Sequence, residues 1–182
     1  MRWTIDTTHA EVEFSAKHLM ISTVKGRFRT FSATGETNPD GTIKAMEMSI
    51  DAASLDTNVQ QRDDHLKSPD FFDVANHPTL TFRSTKVTHA GNEVTIAGDL
   101  TIRGTTRPVT LTGEYTAPTK DPWGNLRAAL EVSAKINRKD WGLTWNKALE
   151  AGGVVVGEEV KLHIAAEATA VAEQVQIGRA HV

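Results

Sequence analysis

The sequence lacks cysteine and is poor in aromatic residues. None of its 182 residues is cysteine, which excludes disulfide bonds, thiolate metal sites and a cysteine nucleophile. Aromatic residues make up only 6% of the chain, so little bulk is present to fill an interior. No apolar run approaches the roughly 18 residues that a membrane-spanning helix needs, and we therefore expect the chain not to span a membrane.

The sequence also lacks an excess of positive charge. Its formal net charge is −3 at pH 7, and no basic run stands out, so nucleic acid is not an expected partner. The first residues, 1–6, enter a strand-like pattern without the apolar segment of a signal peptide. These features predict a soluble, cytoplasmic protein. A clipped mature form of an exported protein would look the same, which leaves a periplasmic location as the alternative.

A regular alternation of apolar and polar residues is clearest over Gly98–Gly113. Leu100 and Ile102 share one face of a strand, and Val109 and Leu111 share one face of the next, with a hinge at Gly104. A period of two is typical of half-buried antiparallel strands and not of helices.

The same alternation recurs along the chain and predicts eight strands. They are Glu11–His18, Thr23–Thr34, Thr42–Asp51, Pro78–His89, Glu93–Ile102, Thr105–Thr116, Arg127–Asn137 and Glu158–Thr169. Eight antiparallel strands can close into a barrel with room for packed side chains or one ligand. We therefore predict an all-β fold, an eight-stranded antiparallel barrel, over residues 1–170. Residues 171–182 are a tail, and we interpret 177–182 as a translated sequencing-adapter read, a natural tail being the alternative.

One short segment reads as helical. Thr57 and Gln60 form a capping-box pattern, which predicts a helix over Asn58–Lys67 that ends before Pro69. The segment has too few apolar residues for a helix buried in the core, so we expect it to cover one end of the barrel.

Small residues on one side of several strands favour a hollow interior: Ala16, Gly26, Gly98, Gly113, Ala128, Ala134, Ala166 and Ala168. A solid core would need bulkier residues to reach normal packing density. Composition alone is equally compatible with the alternative, a flattened sandwich whose two walls touch directly. If the barrel is hollow, the predicted ligand contacts are Val12, Phe14, Ala16, Phe28, Met46, Met48, Phe82, Leu100, Leu111, Ala128, Leu130, Val132, Ala134, Leu162, Ile164 and Ala166.

Two polar groupings suggest chemistry. Arg62–His65 contains carboxylates beside a histidine, a combination that can perform acid–base catalysis. The alternative is that Arg62 or Asp63 fastens the helix to the barrel by charge-assisted hydrogen bonds. Nucleophilic triads, phosphate-binding glycine loops and zinc signatures do not accompany the cluster.

Histidines and the residues after the seventh strand complete the candidates. His9 and His18 lie on opposite strand faces and His77 precedes a proline, so we predict neither a metal site nor a cofactor. Trp141, Trp145 and Leu143 are expected to cap the core, the alternative being that they line a cavity mouth. Arg138 is expected to pair with a carboxylate at the barrel end, the alternative being a lipid head group.

An ordered series of motifs resembles the YceI-like family of polyisoprenoid-binding proteins. The series is Trp3-Thr4-Ile5-Asp6 with His9, Lys17-His18-Leu19, Gly26-Arg27-Phe28, Ser54-Leu55-Asp56-Thr57, Arg62-Asp63-Asp64-His65-Leu66, Asp70-Phe71-Phe72-Asp73, His77-Pro78 with Phe82-Arg83-Ser84-Thr85, Gly98 to Gly104, and Ile136-Asn137-Arg138 with Asp140-Trp141-Gly142-Leu143. It covers the chain from Arg2 to Thr169. The sequence departs from the family at His9-Ala10, where His-Ser is frequent, and in lacking an export signal.

The resemblance implies a lipocalin-like barrel with an apolar cavity that binds isoprenoid or other long-chain lipids, and by analogy a homodimer. The resulting hypothesis is a non-catalytic carrier of a polyisoprenoid or isoprenoid quinone type of lipid. Two alternatives remain: an enzyme that acts on a lipid-like substrate through Arg62–His65, and a structural or partner-binding barrel without ligand.

Overall fold

A single antiparallel sheet closes on itself because its first and last strands pair with each other. The structure, a computed structural model, describes residues 1–150 and 152–172. The strands are β1 (Arg2–His18), β2 (Ser22–Phe28), β3 (Phe31–Thr37), β4 (Ile43–Asp51), β5 (Leu55–Asp56), β6 (Thr79–Ala90), β7 (Glu93–Ile102), β8 (Thr105–Lys120), β9 (Leu126–Asn137) and β10 (Val156–Ala170). The ring runs β1-β3-β4-β6-β7-β8-β9-β10 and back to β1, which confirms the eight-stranded antiparallel barrel.

The first strand is longer than predicted, and the second predicted strand is divided in two. β1 begins at Arg2 instead of Glu11, and it pairs with β3 through its first residues and with β2 through its last. The predicted strand Thr23–Thr34 is broken at Arg29 and Thr30. There the Arg29 Nε donates to the Asp56 carboxylate at 2.6 Å, and the backbone N–H of Thr30 donates to a serine hydroxyl. Hydrogen bonds that involve side chains are therefore made at the point where the chain changes from one strand pairing to the other.

The alternation that predicted the strands also sets which side chains face the interior. Along β7, Val94, Ile96, Leu100 and Ile102 are buried, whereas the polar residues between them are exposed or half-buried. The hinge at Gly104 is a tight two-residue turn, in which the preceding arginine also has a positive φ. Such turns match the twist of paired strands.

Two of the small residues that favoured a hollow barrel are covered by aromatic rings. A Cβ at Gly26 would overlap the ring of Phe14, and one at Gly98 would overlap the ring of Phe82. At these positions the absence of a side chain makes room for a neighbouring ring and leaves no empty space. The interpretation of Gly26 and Gly98 as marks of a cavity is therefore wrong, because it counted missing bulk without the partner that fills it.

The helix α1 spans Gln60–Lys67 and lies at the barrel end where β1 finishes. The predicted capping box is wrong: Val59 is the N-terminal cap residue and makes no side-chain cap bond. Within the described residues, no helix is long and apolar enough to cross a membrane. The segment 177–182, interpreted above as a sequencing artefact, lies outside the described residues.

Gly113 offers a test of how closely two barrel strands approach. A Cβ there would overlap the backbone carbonyl of Glu131 on β9, whereas a Cβ at Gly26 would meet only the tip of the Phe14 ring. A ring can turn, but a paired strand cannot move without loss of hydrogen bonds. We expect Gly113→Ala to lower the free energy of unfolding by about 3 kcal/mol and Gly26→Ala by about 1 kcal/mol. Urea denaturation followed by circular dichroism measures both, and equal losses would contradict the close approach.

Candidate functional site

An apolar cavity of about 90 Å³ lies at the end of the barrel where β1 begins; we call it the mouth-end cavity. Trp3 and Tyr115 form part of its wall. The Trp3 Nε1 donates to the Thr37 hydroxyl at 2.9 Å, and the Tyr115 hydroxyl donates to the Gly41 carbonyl at 2.6 Å. Burial, and secondarily the charge of Asp40, raises the pKa of Tyr115. The polar tips are therefore satisfied and neutral, and the cavity is left with apolar ring faces.

Two adjacent cavities occupy the opposite end of the barrel, beside α1. The inner chamber, about 90 Å³, is lined by residues that include Leu80, Ile136 and Trp141. The vestibule, about 160 Å³, lies outside it and is lined by residues that include Lys17 and Trp145. The residues that line both are Phe14, Ala16, Leu66, Phe71 and Val156. A shared wall of this extent makes the two cavities neighbours along one path into the barrel.

The mouth-end cavity and the inner chamber come close together inside the barrel. On β10, Leu162 lines the inner chamber and Ile164 lines the mouth-end cavity. Two residues of a strand advance about 7 Å. A single layer of side chains therefore separates the two spaces along this wall.

The predicted ligand contacts divide into cavity walls and packed core. The mouth-end cavity is lined by Met46, Met48, Ala128, Leu130, Ile164 and Ala166. The helix-end cavities are lined by Phe14, Ala16, Phe28 and Leu162. The remaining predictions, which line none of these three cavities, belong to the core or pack against it: Val12, Phe82, Leu100, Leu111, Val132 and Ala134.

Several cavity residues were missed by sequence reasoning. Trp3 and Ile5 line the mouth-end cavity from the part of β1 that precedes the predicted strand. Their alternation with threonine was a usable signal. Phe71 and Phe72 line the inner chamber from the loop after α1, and a loop has no periodicity from which to read a facing direction.

The helix end of the barrel is closed by the 3₁₀ turn Arg138–Trp141 and the loop after it. Trp141 is buried, and its Nε1 donates to the Leu100 carbonyl at 2.9 Å. Leu143 is buried beside it.

Arg138 is also buried, and its guanidinium donates to backbone carbonyls at 2.5–3.2 Å: those of Leu143, Trp145, Val156 and Gly157. The prediction that Arg138 pairs with a carboxylate is wrong, because the chain wraps its own carbonyls around the guanidinium. Burial lowers the pKa of Arg138, an effect that Glu158 opposes.

The Arg62–His65 cluster has two roles: it fastens α1 to the barrel, and it contributes to a cavity wall. The buried Asp63 carboxylate accepts from the Thr57 backbone N–H at 2.8 Å and from the Thr57 hydroxyl at 2.6 Å. Arg62 donates to the same threonine hydroxyl and to its carbonyl. These bonds hold α1 to the segment after β5, as the second interpretation of the cluster predicted. They also use the Thr57 hydroxyl that the predicted capping box needed.

His65 faces the vestibule. Its Nε2 lies 2.9 Å from the Asp70 carboxylate, and its ring stands edge-on to Trp145 with centroids 4.6 Å apart. Within the cluster, Arg62 and His65 are the residues that line this cavity.

Replacement of Asp63 tests the fastening. Asp63→Ala leaves the buried Thr57 donors without an acceptor, so we expect a loss of about 2 kcal/mol in unfolding free energy. Asp64→Ala, on the exposed side of the same helix, is the control and should cost less than about 0.5 kcal/mol. Chemical denaturation of both variants measures the difference. Comparable losses would show that Asp63 does not carry the attachment.

A charged cluster lies outside the three apolar cavities, near the mouth end, where His9 and Glu167 line a separate, more polar pocket of about 510 Å³. Asp6, His9 and Glu167 approach one another closely enough to be considered for a metal ion. The Arg127 guanidinium already lies there, 3.2 Å from the Asp6 carboxylate and 3.6 Å from that of Glu167. Its Nε donates to Asp121 at 2.8 Å. The arginine supplies the positive charge that these carboxylates would otherwise seek.

Hydrogen bonds lower the carboxylate pKa values in this cluster. The Thr8 hydroxyl and His9 lower the pKa of Asp6, and Arg127 lowers the pKa of Asp121. A carboxylate whose folded pKa lies below its unfolded value stabilises the fold above about pH 4, and that contribution is lost as the pH falls through the folded pKa.

Arg127→Met tests this linkage. Without the guanidinium, we expect the pKa of Asp121 to rise toward its ordinary value, measured by NMR titration of the carboxyl carbon. The difference in unfolding free energy from the wild type should then be larger at pH 6 than at pH 2. Arg107→Met, an exposed arginine on β8, is the control. An unchanged Asp121 titration would exclude Arg127 as the cause.

Known proteins resemble this chain in both sequence and fold. A UPF0312 protein of Staphylococcus epidermidis is 38% identical over 169 residues, which cover 91% of this chain and 96% of the relative. The crystal structure of the Campylobacter jejuni YceI protein superposes with a TM-score of 0.74 at 30% identity, over 86% of this chain and 90% of that one.

A polyisoprenoid binding domain from Saccharophagus degradans has the same fold, with a TM-score of 0.68 at 15% identity over 93% of this chain and 98% of that one. Residues 3–168 match the family described as YceI-like domain. The closed barrel, the similar proteins and the match to the family all give the same assignment: the chain belongs to the YceI-like domain family.

Proposed function

We propose that this YceI-like domain binds a long-chain apolar lipid inside the barrel and carries or sequesters it without catalysis. The observation that carries the proposal is the set of apolar cavities at both ends of one barrel interior. Within the described residues, every buried side-chain nitrogen or oxygen has a hydrogen-bond partner. The cavity walls therefore offer contact area and not unsatisfied polar groups, which suits a hydrocarbon chain.

The Saccharophagus degradans protein supports the ligand class by analogy, since it is a polyisoprenoid binding domain. A polyisoprenoid or isoprenoid quinone type of lipid is the ligand that we propose for this chain. Each isoprene unit has five carbons, so its burial contributes about 4 kcal/mol at about 0.8 kcal/mol per methylene. A few units suffice for tight binding, even after the cost of ordering a flexible chain.

The cavity volumes set a condition on binding. Pockets for drug-sized ligands usually measure about 300–1,000 Å³, and each of the three apolar cavities described above is smaller than that range. A long chain therefore requires the inner chamber and the mouth-end cavity to join. The layer that must yield contains Leu162 and Ile164, with the half-buried Phe14 ring beside it. We infer that the ligand replaces this layer's contacts with its own, and that chain length is poorly discriminated.

The catalytic alternative now depends on fewer groups. Arg62 and Asp63 are engaged with Thr57, so acid–base chemistry on a lipid would fall to His65, which lines the vestibule and contacts the Asp70 carboxylate. Chemical conversion of a bound lipid by the wild type, and not by His65→Ala, would replace the carrier proposal with an enzyme.

Plugging each cavity separately tests the carrier proposal. Ala16→Trp fills the helix-end cavities and Ala166→Trp fills the mouth-end cavity, because each alanine lines the space concerned. We expect either variant to retain at least about tenfold less lipid, equivalent to a loss of about 1.4 kcal/mol in binding. Mass spectrometry of an organic extract of the purified protein measures the retained lipid.

Lys135→Trp, which adds the same ring on the outer face of β9, is the control and should retain lipid like the wild type. Melting temperatures identify any variant that fails to fold. A wild-type protein that neither co-purifies with nor takes up an added isoprenoid lipid would contradict the proposal and favour a barrel without ligand.

A further inference from the structure

An apolar turn projects from the helix end of the barrel. Leu19, Met20 and Ile21 join β1 to β2 and are 39%, 59% and 83% exposed. Leu19 and Met20 have φ values of 54° and 66°, a conformation that residues with a side chain seldom adopt. The Leu19 N–H donates to the Val155 carbonyl at 2.8 Å. A tethered turn with this backbone holds three large apolar side chains toward the exterior; we call it the apolar tip.

The apolar tip lies at the rim of the vestibule. Lys17 and His18, which directly precede it in the chain, line the vestibule. So does Val155, whose carbonyl holds the turn. Whatever surface the tip contacts is therefore brought next to the path that leads into the inner chamber.

Basic residues surround the apolar tip. Lys17 and Lys25 flank it on β1 and β2, and Arg62 lies across the vestibule. The neighbouring hairpin, attached through the bond from the Val155 N–H to the Lys147 carbonyl, adds Lys147 and one acidic residue, Glu150. Glu158 and Glu159 follow Gly157, which lies against Lys17, and Glu158 pairs with Lys139 at 2.6 Å. On the strands and hairpin next to the tip, the basic residues Lys17, Lys25, Lys139 and Lys147 outnumber the acidic residues Glu150, Glu158 and Glu159 by one.

The opposite end of the barrel has the contrary balance. Trp123, 80% exposed, is the large apolar residue of the loop after β8. Its neighbourhood contains Asp121, Asp6 and Glu167 around the guanidinium of Arg127, with the exposed Lys120 preceding Asp121 in the chain. The charge at this end is more negative than the charge next to the apolar tip, so the tip is the end that suits an anionic surface.

We propose that the apolar tip and its flanking lysines dock on the surface of an anionic lipid bilayer. The inference rests on the proposed function, because it places the vestibule against the source of a lipid ligand. Apolar side chains inserted into the headgroup region and lysines beside them are the combination by which peripheral proteins bind such membranes. Three side chains on a narrow turn are too few for the roughly 800 Å² that each partner buries in a stable protein interface.

Vesicle sedimentation tests the docking. The probes are vesicles of phosphatidylglycerol with phosphatidylcholine and vesicles of phosphatidylcholine alone. We expect the wild type to bind the anionic vesicles, and Met20→Ser/Ile21→Ser to weaken that binding by about tenfold or more. Lys25→Gln should weaken it by about fivefold, and added salt should weaken it further. Trp123→Ser, which removes an equally exposed apolar side chain at the opposite end, should bind like the wild type.

Retained lipid, measured by mass spectrometry, separates this proposal from the proposed function. A Met20→Ser/Ile21→Ser variant that holds lipid in its barrel but no longer sediments with vesicles supports docking. Docking by a protein whose barrel never contains lipid would support the tip and contradict the carrier. Failure of the wild type to bind anionic vesicles, or loss of binding in Trp123→Ser alone, would overturn the inference. So would a dimer in sedimentation velocity that the double substitution dissolves while vesicle binding persists unchanged.

Discussion

The pairing of β1 with β10 is the constraint on which the rest of the structure depends. It runs from Trp3 opposite Ala170 to His18 opposite Val156 and leaves neither strand as an open edge of the ring. Closure obliges β1 to bend, and it does so between Asp6 and Ala10, where the register shifts. The cluster around Arg127 lies at this bend and joins β1, β9 and β10 by charge. With the ring closed, every inward-facing residue must share one enclosed space.

That space is packed unevenly, and the unevenness follows residue size strand by strand. β7 contributes Val94 and Ile96, which are almost completely buried. On the other side, β9 and β10 contribute alanines, among them Ala128 and Ala166, and the mouth-end cavity lies against them. Dispersion contacts are lost wherever opposing side chains do not meet. The cavities are therefore a consequence of small residues on the strands that close the ring, and the large residues of β7 keep the barrel from collapsing.

Features set by the local residue pattern could be predicted from the sequence, whereas features set by contacts with distant residues could not. The strands from β6 to β10 were predictable to within a few residues because alternation is a property of each strand alone. The break at Arg29 depends on where β1 changes partner, which is set by strands distant in the sequence. In the site, Ala128 and Ile164 could be assigned from their facing direction, but Phe71 could not, since it reaches the chamber from a loop. Thr57 matched a capping box, yet the buried Asp63 took its hydroxyl.

The selectivity of the barrel for a ligand depends on the groups that its cavities present. A binding site discriminates strongly when it presents polar groups that a wrong ligand leaves unpaired. Here the buried polar side chains of the described residues are satisfied within the protein, down to the Arg138 guanidinium among backbone carbonyls. For the lipid that we propose, selectivity along the hydrocarbon chain comes from shape, through Phe14, Phe71 and the layer at Leu162. Polar recognition is left to the vestibule, where Lys17 and His65 lie beside an apolar wall. A ligand of one apolar chain and one anionic end fits that division, with its end held outside the inner chamber and its chain within.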